Sequence, residues 1–120
     1  MSANEKTRIY RLVEPSRWAE AMHAGVFKGE ADDVRDGFIH FSTAEQLEGT
    51  LDKHYGAYDR LALVEVVAGD VGAELKWEKS RGGDLFPHLY GELAMAAVTS
   101  LRLIRRNDDN SWTLPDEIFQ

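Results

Sequence analysis

The segment Arg60 to Ala68 carries LALVEVV, an almost unbroken apolar run of strand length that stops at Gly69-Asp70. Such a run has no polar face to turn to water, so it fits a central strand covered on both sides. The rest of the chain must then supply neighbouring strands and two covering layers. Arg8–Val13 (RIYRLV) has the β-branched and aromatic content of a first strand. Glu74–Glu78 alternates, with Leu75 and Trp77 on one side and Glu74, Lys76 and Glu78 on the other, and reads as a half-buried strand. Val98–Arg106 reads as another strand. A hairpin at Asn107-Asp108-Asp109-Asn110 returns from it through Ser111 to Leu114, before Pro115 stops the pairing and Asp116–Gln120 frays.

Two helices cover these strands. Pro15 suits the first turn of a helix running to about Ala24, with Trp18 and Met22 on its core face and Gly25 as its stop. Ser42 and Glu45 have the spacing of a capping box, which predicts a helix from there to about Tyr55 with Leu47, Leu51 and His54 on its inner stripe. Between the helices, Val26–Asp36 reads as a loop whose Glu30, Asp32, Asp33 and Asp36 are solvated, and Glu92–Ala97 reads as a short turn of helix. The expected fold is α+β, one domain over residues 1–120 with its core at about 8–114, built from two small, mostly antiparallel sheets and two main helices.

At 120 residues such a domain buries roughly two-thirds of its unfolded surface. A net charge of −7, from 14 basic against 21 acidic residues, argues against bulk binding of nucleic-acid backbone and leaves anionic small molecules to a local site. The absence of cysteine excludes disulfides, thiolate zinc sites and cysteine nucleophiles. The polar start MSANEKTRIY and the lack of any apolar run near ~20 residues predict a cytoplasmic protein with no membrane partner, and oligomeric state stays open.

Chemistry concentrates in Trp77 to Gly91, WEKSRGGDLFPHLYG. Gly82 and Gly83 allow positive φ and close approach of a ligand to the main chain, and Arg81 beside them suits a phosphate or carboxylate. Pro87 holds Phe86 extended, so a short strand is expected after it, with His88 and Tyr90 facing the same way. In Gly37–Thr43 (GFIHFST), Ile39 and Phe41 point to one side while Phe38, His40 and Ser42 point to the other. Plainer readings stand beside these: a Gly-Gly turn, histidines satisfied by neighbouring carbonyls, an ion pair of Glu78 with Arg81. A metal held by His40, His88 and Asp84 or Glu78 lacks any His-x-His or His-x-x-x-His spacing, and no metal is expected.

With GFIHFST and WEKSRGGDLFPHLYG placed, the chain resembles, from about Ile9 to Leu103, the bacterial family of domain of unknown function 952. That resemblance implies an ADP-ribosyltransferase-like fold, two small sheets with a cleft between them, which in active relatives binds NAD. Carried over by position, it implies His40 and Ser42 on the nicotinamide cleft, Arg81, His88 and Tyr90 as signature polar residues, and Trp77 and Phe86 as signature aromatics. Cleaving ribose from nicotinamide builds an oxocarbenium-like cation, so such a site needs ribose contacts, a stacking wall and a diphosphate anchor. His40 then holds ribose hydroxyls, Tyr90 or Phe86 stacks on nicotinamide, and Arg81 with Gly82 and Gly83 holds phosphate. The late glutamate on which many such transferases depend has no clear counterpart; Glu78 is the better candidate and Glu92 the other. The resemblance therefore implies an NAD-using transferase or a phosphotransferase-like variant with His40, His88 and Glu78 in the chemistry, and alternatively a non-catalytic binder of a nucleotide or other anionic small molecule.

Overall fold

A computed structural model describes residues 5–120, apart from the side chain of Arg81. In chain order the elements are β1 (Arg8–Val13), α1 (Pro15–Ala24), β2 (Val26–Phe27), α2 (Ala31–Asp36), β3 (Ile39–His40), α3 (Leu47–His54), β4 (Arg60–Val67), β5 (Leu75–Lys79), β6 (Leu85–Leu89), β7 (Leu93–Ala94) and β8 (Val98–Arg105). The LALVEVV run is the middle strand of the larger sheet, ordered β1-β4-β8, and β4 pairs antiparallel on both sides. Its alternation feeds two cores at once. Ala62, Val64 and Val66 join Ile9, Val13, Trp18 and Phe27 on one face, while Leu61 and Leu63 join Leu12, Leu47, Leu51 and Ile118 on the other.

A second three-stranded antiparallel sheet, ordered β3-β6-β5, packs Ile39 and Leu89 into the first of these cores. A third, two-stranded ladder joins β2 to β7, one more sheet than the sequence reading expected. The architecture is thus α+β, with antiparallel sheets and few helices. Among the described residues no helix is long and apolar enough to cross a membrane.

Several local expectations are corrected. Met22 is 49% exposed and Ala21 takes its place in the core with Trp18, because α1 presents only one narrow stripe to the sheet. Gly25 ends α1 as expected, with φ 83° and its N–H bonded to Ala21 O. The Val26–Asp36 stretch is not a loop, since β2 and α2 lie within it, and Asp33 is buried rather than solvated. The helix start moves from Ser42 and Glu45 to Thr43 and Gln46. Gln46 Oε1 accepts from Thr43 N at 3.0 Å, and a 3-10 turn over Ala44–Gln46 precedes α3. His54 is exposed at the end of α3 instead of on its inner stripe. Pro87 lies inside β6 rather than before it, and Glu92–Ala97 holds β7 and a 3-10 turn. The C-terminal residues are not frayed: Asp116–Phe119 form a 3-10 turn whose Ile118 is buried among Leu12, Leu61 and Leu63.

Candidate functional site

Period-two alternation gives the β3-β6-β5 sheet one apolar and one polar face. The first turns Ile39 and Leu89 into the core, with Leu75 and Trp77 packed against it. The second collects His40, Phe86, His88, Tyr90, Lys76 and Glu78. Antiparallel register sets His40 directly opposite His88, and their ring centroids stand 5.7 Å apart. Phe38 stacks on the His88 ring at 4.0 Å and also contacts the rings of His40 and Tyr90.

Each imidazole is oriented by a carboxylate. His88 Nδ1 lies 2.8 Å from Glu78 Oε1, and the same oxygen accepts a 2.8 Å hydrogen bond from the Tyr90 hydroxyl. Those two bonds hold the Glu78 carboxyl below its ordinary range, and the Tyr90 phenol is raised by the same contact. His40 Nδ1 lies 2.7 Å from Asp33 Oδ1 and its Nε2 lies 2.9 Å from Asp36 Oδ2. These two contacts fix the His40 ring between the carboxyl groups of Asp33 and Asp36. His88 differs. Its Nε2 has no hydrogen-bond partner among the described residues, and the sealed side-chain atom without a partner among them is Trp18 Nε1. His88 is itself buried, at 6% exposure, and stands in the wall of a cavity.

That cavity is open, about 1100 Å³ in volume, with His40, His88, Ser42 and Phe86 in its wall. The same lining takes in residues of β1, α1, α2 and α3. Glu78 and Tyr90 stand beside it rather than in it. Ser42 is buried, its backbone bridged to Tyr10 and its hydroxyl 3.1 Å from the Thr50 hydroxyl. Gly82 and Gly83 do take positive φ, 70° and 84°, yet both are exposed and the cavity lining reaches only their neighbour Ser80. The Arg81 guanidinium, the expected phosphate anchor, lies outside the described residues. Among the described residues no group of three His, Asp or Glu is placed to hold a metal ion.

Behind His40 sits a buried charge network. Asp33 Oδ1 accepts from Arg11 Nη1 at 2.6 Å, from His40 N at 2.9 Å and from His40 Nδ1, while Oδ2 accepts from Glu30 N at 2.6 Å. Arg11, itself buried and part of the cavity wall, also donates to Glu30 Oε1 at 2.9 Å and to His40 O at 3.1 Å. Burial pushes the Asp33 carboxyl up, but the His40 bond and the charge and hydrogen bond of Arg11 outweigh it and hold the group well below the carboxylate range. α2 is thereby fastened to β1 and β3 through one side chain.

Residues 12–101 match the family described as "Protein of unknown function (DUF952)". The chain belongs to the DUF952 family. Its crystal-structure relative CC0527 from Caulobacter crescentus is 38% identical, with 95% of this chain and 100% of that chain covered and a TM-score of 0.89. A crystal structure of a double mutant of CC0527 gives the same values. The solution NMR structure of CC0527 is 40% identical over 92% of this chain and 95% of that one, with a TM-score of 0.80. No curated protein matches the chain.

In this DUF952 chain the sequence reading missed Arg11 and Asp33. A signal for Asp33 was present. Glu30-x-x-Asp33 has the reach-back spacing of a helix start, and Gly29 just before it has φ 98° and would place a Cβ 2.6 Å from Asp33 Cβ. Only glycine leaves room for that carboxylate to turn inward.

Proposed function

We propose that the cleft faced by His40 and His88 binds and processes a nucleotide of the NAD type, in the manner of ADP-ribosyltransferase-like enzymes. What carries this reading is the pair of facing imidazoles, each oriented through Nδ1 by a carboxylate, on the wall of one open cavity. The cavity, at about 1100 Å³, lies just above the roughly 300–1,000 Å³ typical of small-molecule sites. Its aromatic and cationic wall groups suit a base, a ribose and a phosphate.

In this chemistry the bond from ribose C1′ to nicotinamide breaks and its electron pair leaves on the neutral ring. An oxygen nucleophile then bonds to C1′, and its proton passes to His88 Nε2. Glu78 fixes the His88 ring and stabilises the imidazolium that forms, as a carboxylate does for any base histidine. His40, with both ring nitrogens held by carboxyl groups, serves as a fixed wall of the cleft rather than as a base. The reacting role thus moves from His40, the residue first favoured from sequence, to His88.

The double engagement of His40 also favours a second reading, a non-catalytic nucleotide or anion binder, because a ring so held is not free to exchange protons. Saturation-transfer NMR with NAD and ADP-ribose tests the shared premise. Transfer to the nicotinamide and adenine protons, lost in His88→Ala, supports a cleft that binds them. No transfer from either compound at millimolar concentration overturns both readings.

A further inference from the structure

The two edges of the β1-β4-β8 sheet are treated differently. The β1 edge is closed, since Tyr10 and Ser42 exchange N–H to O bonds of 2.7 and 2.8 Å. On the β8 edge, the described backbone bonds from other segments leave residues 98–105 unmet on their outer side. β8 is eight residues long, VTSLRLIR, and contains no proline or glycine. An open strand of this length is a template for another strand.

Its side chains specify what it would accept. Leu101 and Leu103 are 44% and 53% exposed. They lie on the same face as Arg105, which is opposite Arg60 in the register with β4. Like charges directly opposite destabilise a sheet, and neither Arg60 nor Arg105 meets a carboxylate among the described ion pairs. On the other face Arg102 reaches Glu117 at 3.3 Å. From Val98 to Arg106 there are three arginines and no acid, in a chain whose net charge is −7. Arg106 is met by Asp59 and Arg102 by Glu117, which leaves Arg105 beside the two uncovered leucines with no carboxylate among the described ion pairs.

We infer that β8 is a docking edge for an extended, acidic segment of another protein, which pairs with the open strand so that alternate apolar residues cover Leu101 and Leu103 while its carboxylates meet Arg105, Arg60 and Arg102. Backbone pairing supplies the affinity and the alternating side chains the selectivity, as in other strand-addition complexes. A second copy of this chain is the poorer occupant, because its own β8 offers arginines and no carboxylate. The inference is independent of the cleft chemistry.

The probe is the peptide acetyl-Glu-Thr-Val-Glu-Val-Thr-Glu-amide, whose first residue pairs antiparallel opposite Arg105 so that its valines face Leu103 and Leu101 and its fourth residue faces Arg102; it is titrated into the uniformly 15N-labelled chain, with a peptide carrying Lys at every acidic position as its control. The expected result is saturable shifts centred on the amides of residues 98–105, slower exchange of their outward N–H groups, weakening with added salt, and little response to the Lys peptide. Arg105→Glu and, separately, Leu103→Lys, both at exposed positions, should weaken binding by about tenfold or more without changing the circular dichroism of the chain. Shifts centred elsewhere, equal binding of the two peptides, or no shift at millimolar peptide would overturn the inference. So would a concentration-dependent dimer in sedimentation that Arg105→Glu or Leu103→Lys breaks, since the edge would then belong to a second copy.

Discussion

Replacing Asp33 probes the network behind His40. Asp33→Ala removes the acceptor of four hydrogen bonds, from Arg11 Nη1, His40 Nδ1, His40 N and Glu30 N. Breaking a buried ion pair from one side costs ~3–5 kcal/mol, because the remaining charge stays buried. Two features of the structure move the figure in opposite directions. Glu30 keeps its 2.9 Å contact with Arg11, which eases the penalty, while two backbone amides lose a carboxylate acceptor at half-buried positions where water can replace it in part, adding ~1 kcal/mol. The expected loss is therefore ~3–5 kcal/mol, a large part of the roughly 5–15 kcal/mol that stabilises a domain of this kind. Asp33→Asn keeps the shape and one acceptor but sets an amide N–H against Glu30 N–H, so it should cost less, ~2–3 kcal/mol. Urea unfolding followed by tryptophan fluorescence, with Trp18 packed on Phe27 as a nearby reporter, reads both losses as shifts in midpoint at unchanged slope. A loss below ~1 kcal/mol in both variants would refute the reasoning and return Asp33 to the solvated loop that the sequence suggested.

The same carboxyl sets an acid limit. Its folded value is held well below the ordinary 3.8, so its contribution is complete above about pH 5 and drains away as pH falls below 3.8 toward the folded value; the acid limb of stability against pH should flatten in Asp33→Asn. On the alkaline side, burial raises the Tyr55 phenol from 10.0 to about 12, so the stability it confers is present below pH 10 and falls as pH rises through that interval. Tyr55→Phe should remove that part of the slope, measured by urea unfolding at several alkaline pH values, together with the 3.2 Å bond to Leu12 O. Glu78→Gln should leave the fold intact while moving the NMR signals of the His88 ring and the Tyr90 hydroxyl neighbours, since one oxygen holds both; unchanged His88 signals would mean that Glu78 does not orient it.

The parts of this molecule legible in its sequence are those that depend on local periodicity. LALVEVV announced a central strand because every side chain in it needs cover, and the alternation in GFIHFST and FPHLY put His40 on one face with Phe38 and His88 on one face with Tyr90. Their meeting across β3 and β6 required knowing the register, which no local pattern carries. Asp33 was misread because one acid among four in a polar stretch looks solvated unless its partner is known, and Arg11 lies 22 residues away on another element. The helix start was misplaced by one residue because Ser42-x-x-Glu45 and Thr43-x-x-Gln46 overlap and satisfy similar spacing rules. The backbone of Ser42 was already committed to Tyr10, a contact the spacing could not show. The Gly-Gly turn was recognised for its conformation, but local freedom says nothing about whether a turn borders a cavity.

The reading of the cleft stands or falls on turnover at His88. Purified chain incubated with NAD, with free nicotinamide followed by chromatography and a His88→Ala chain of unchanged circular dichroism beside it, is the direct measurement. Nicotinamide accumulating with time and protein concentration in the first sample and absent from the second is the predicted result. No release by the unmodified chain, or equal release by both chains, would contradict an imidazole acting on bound nucleotide.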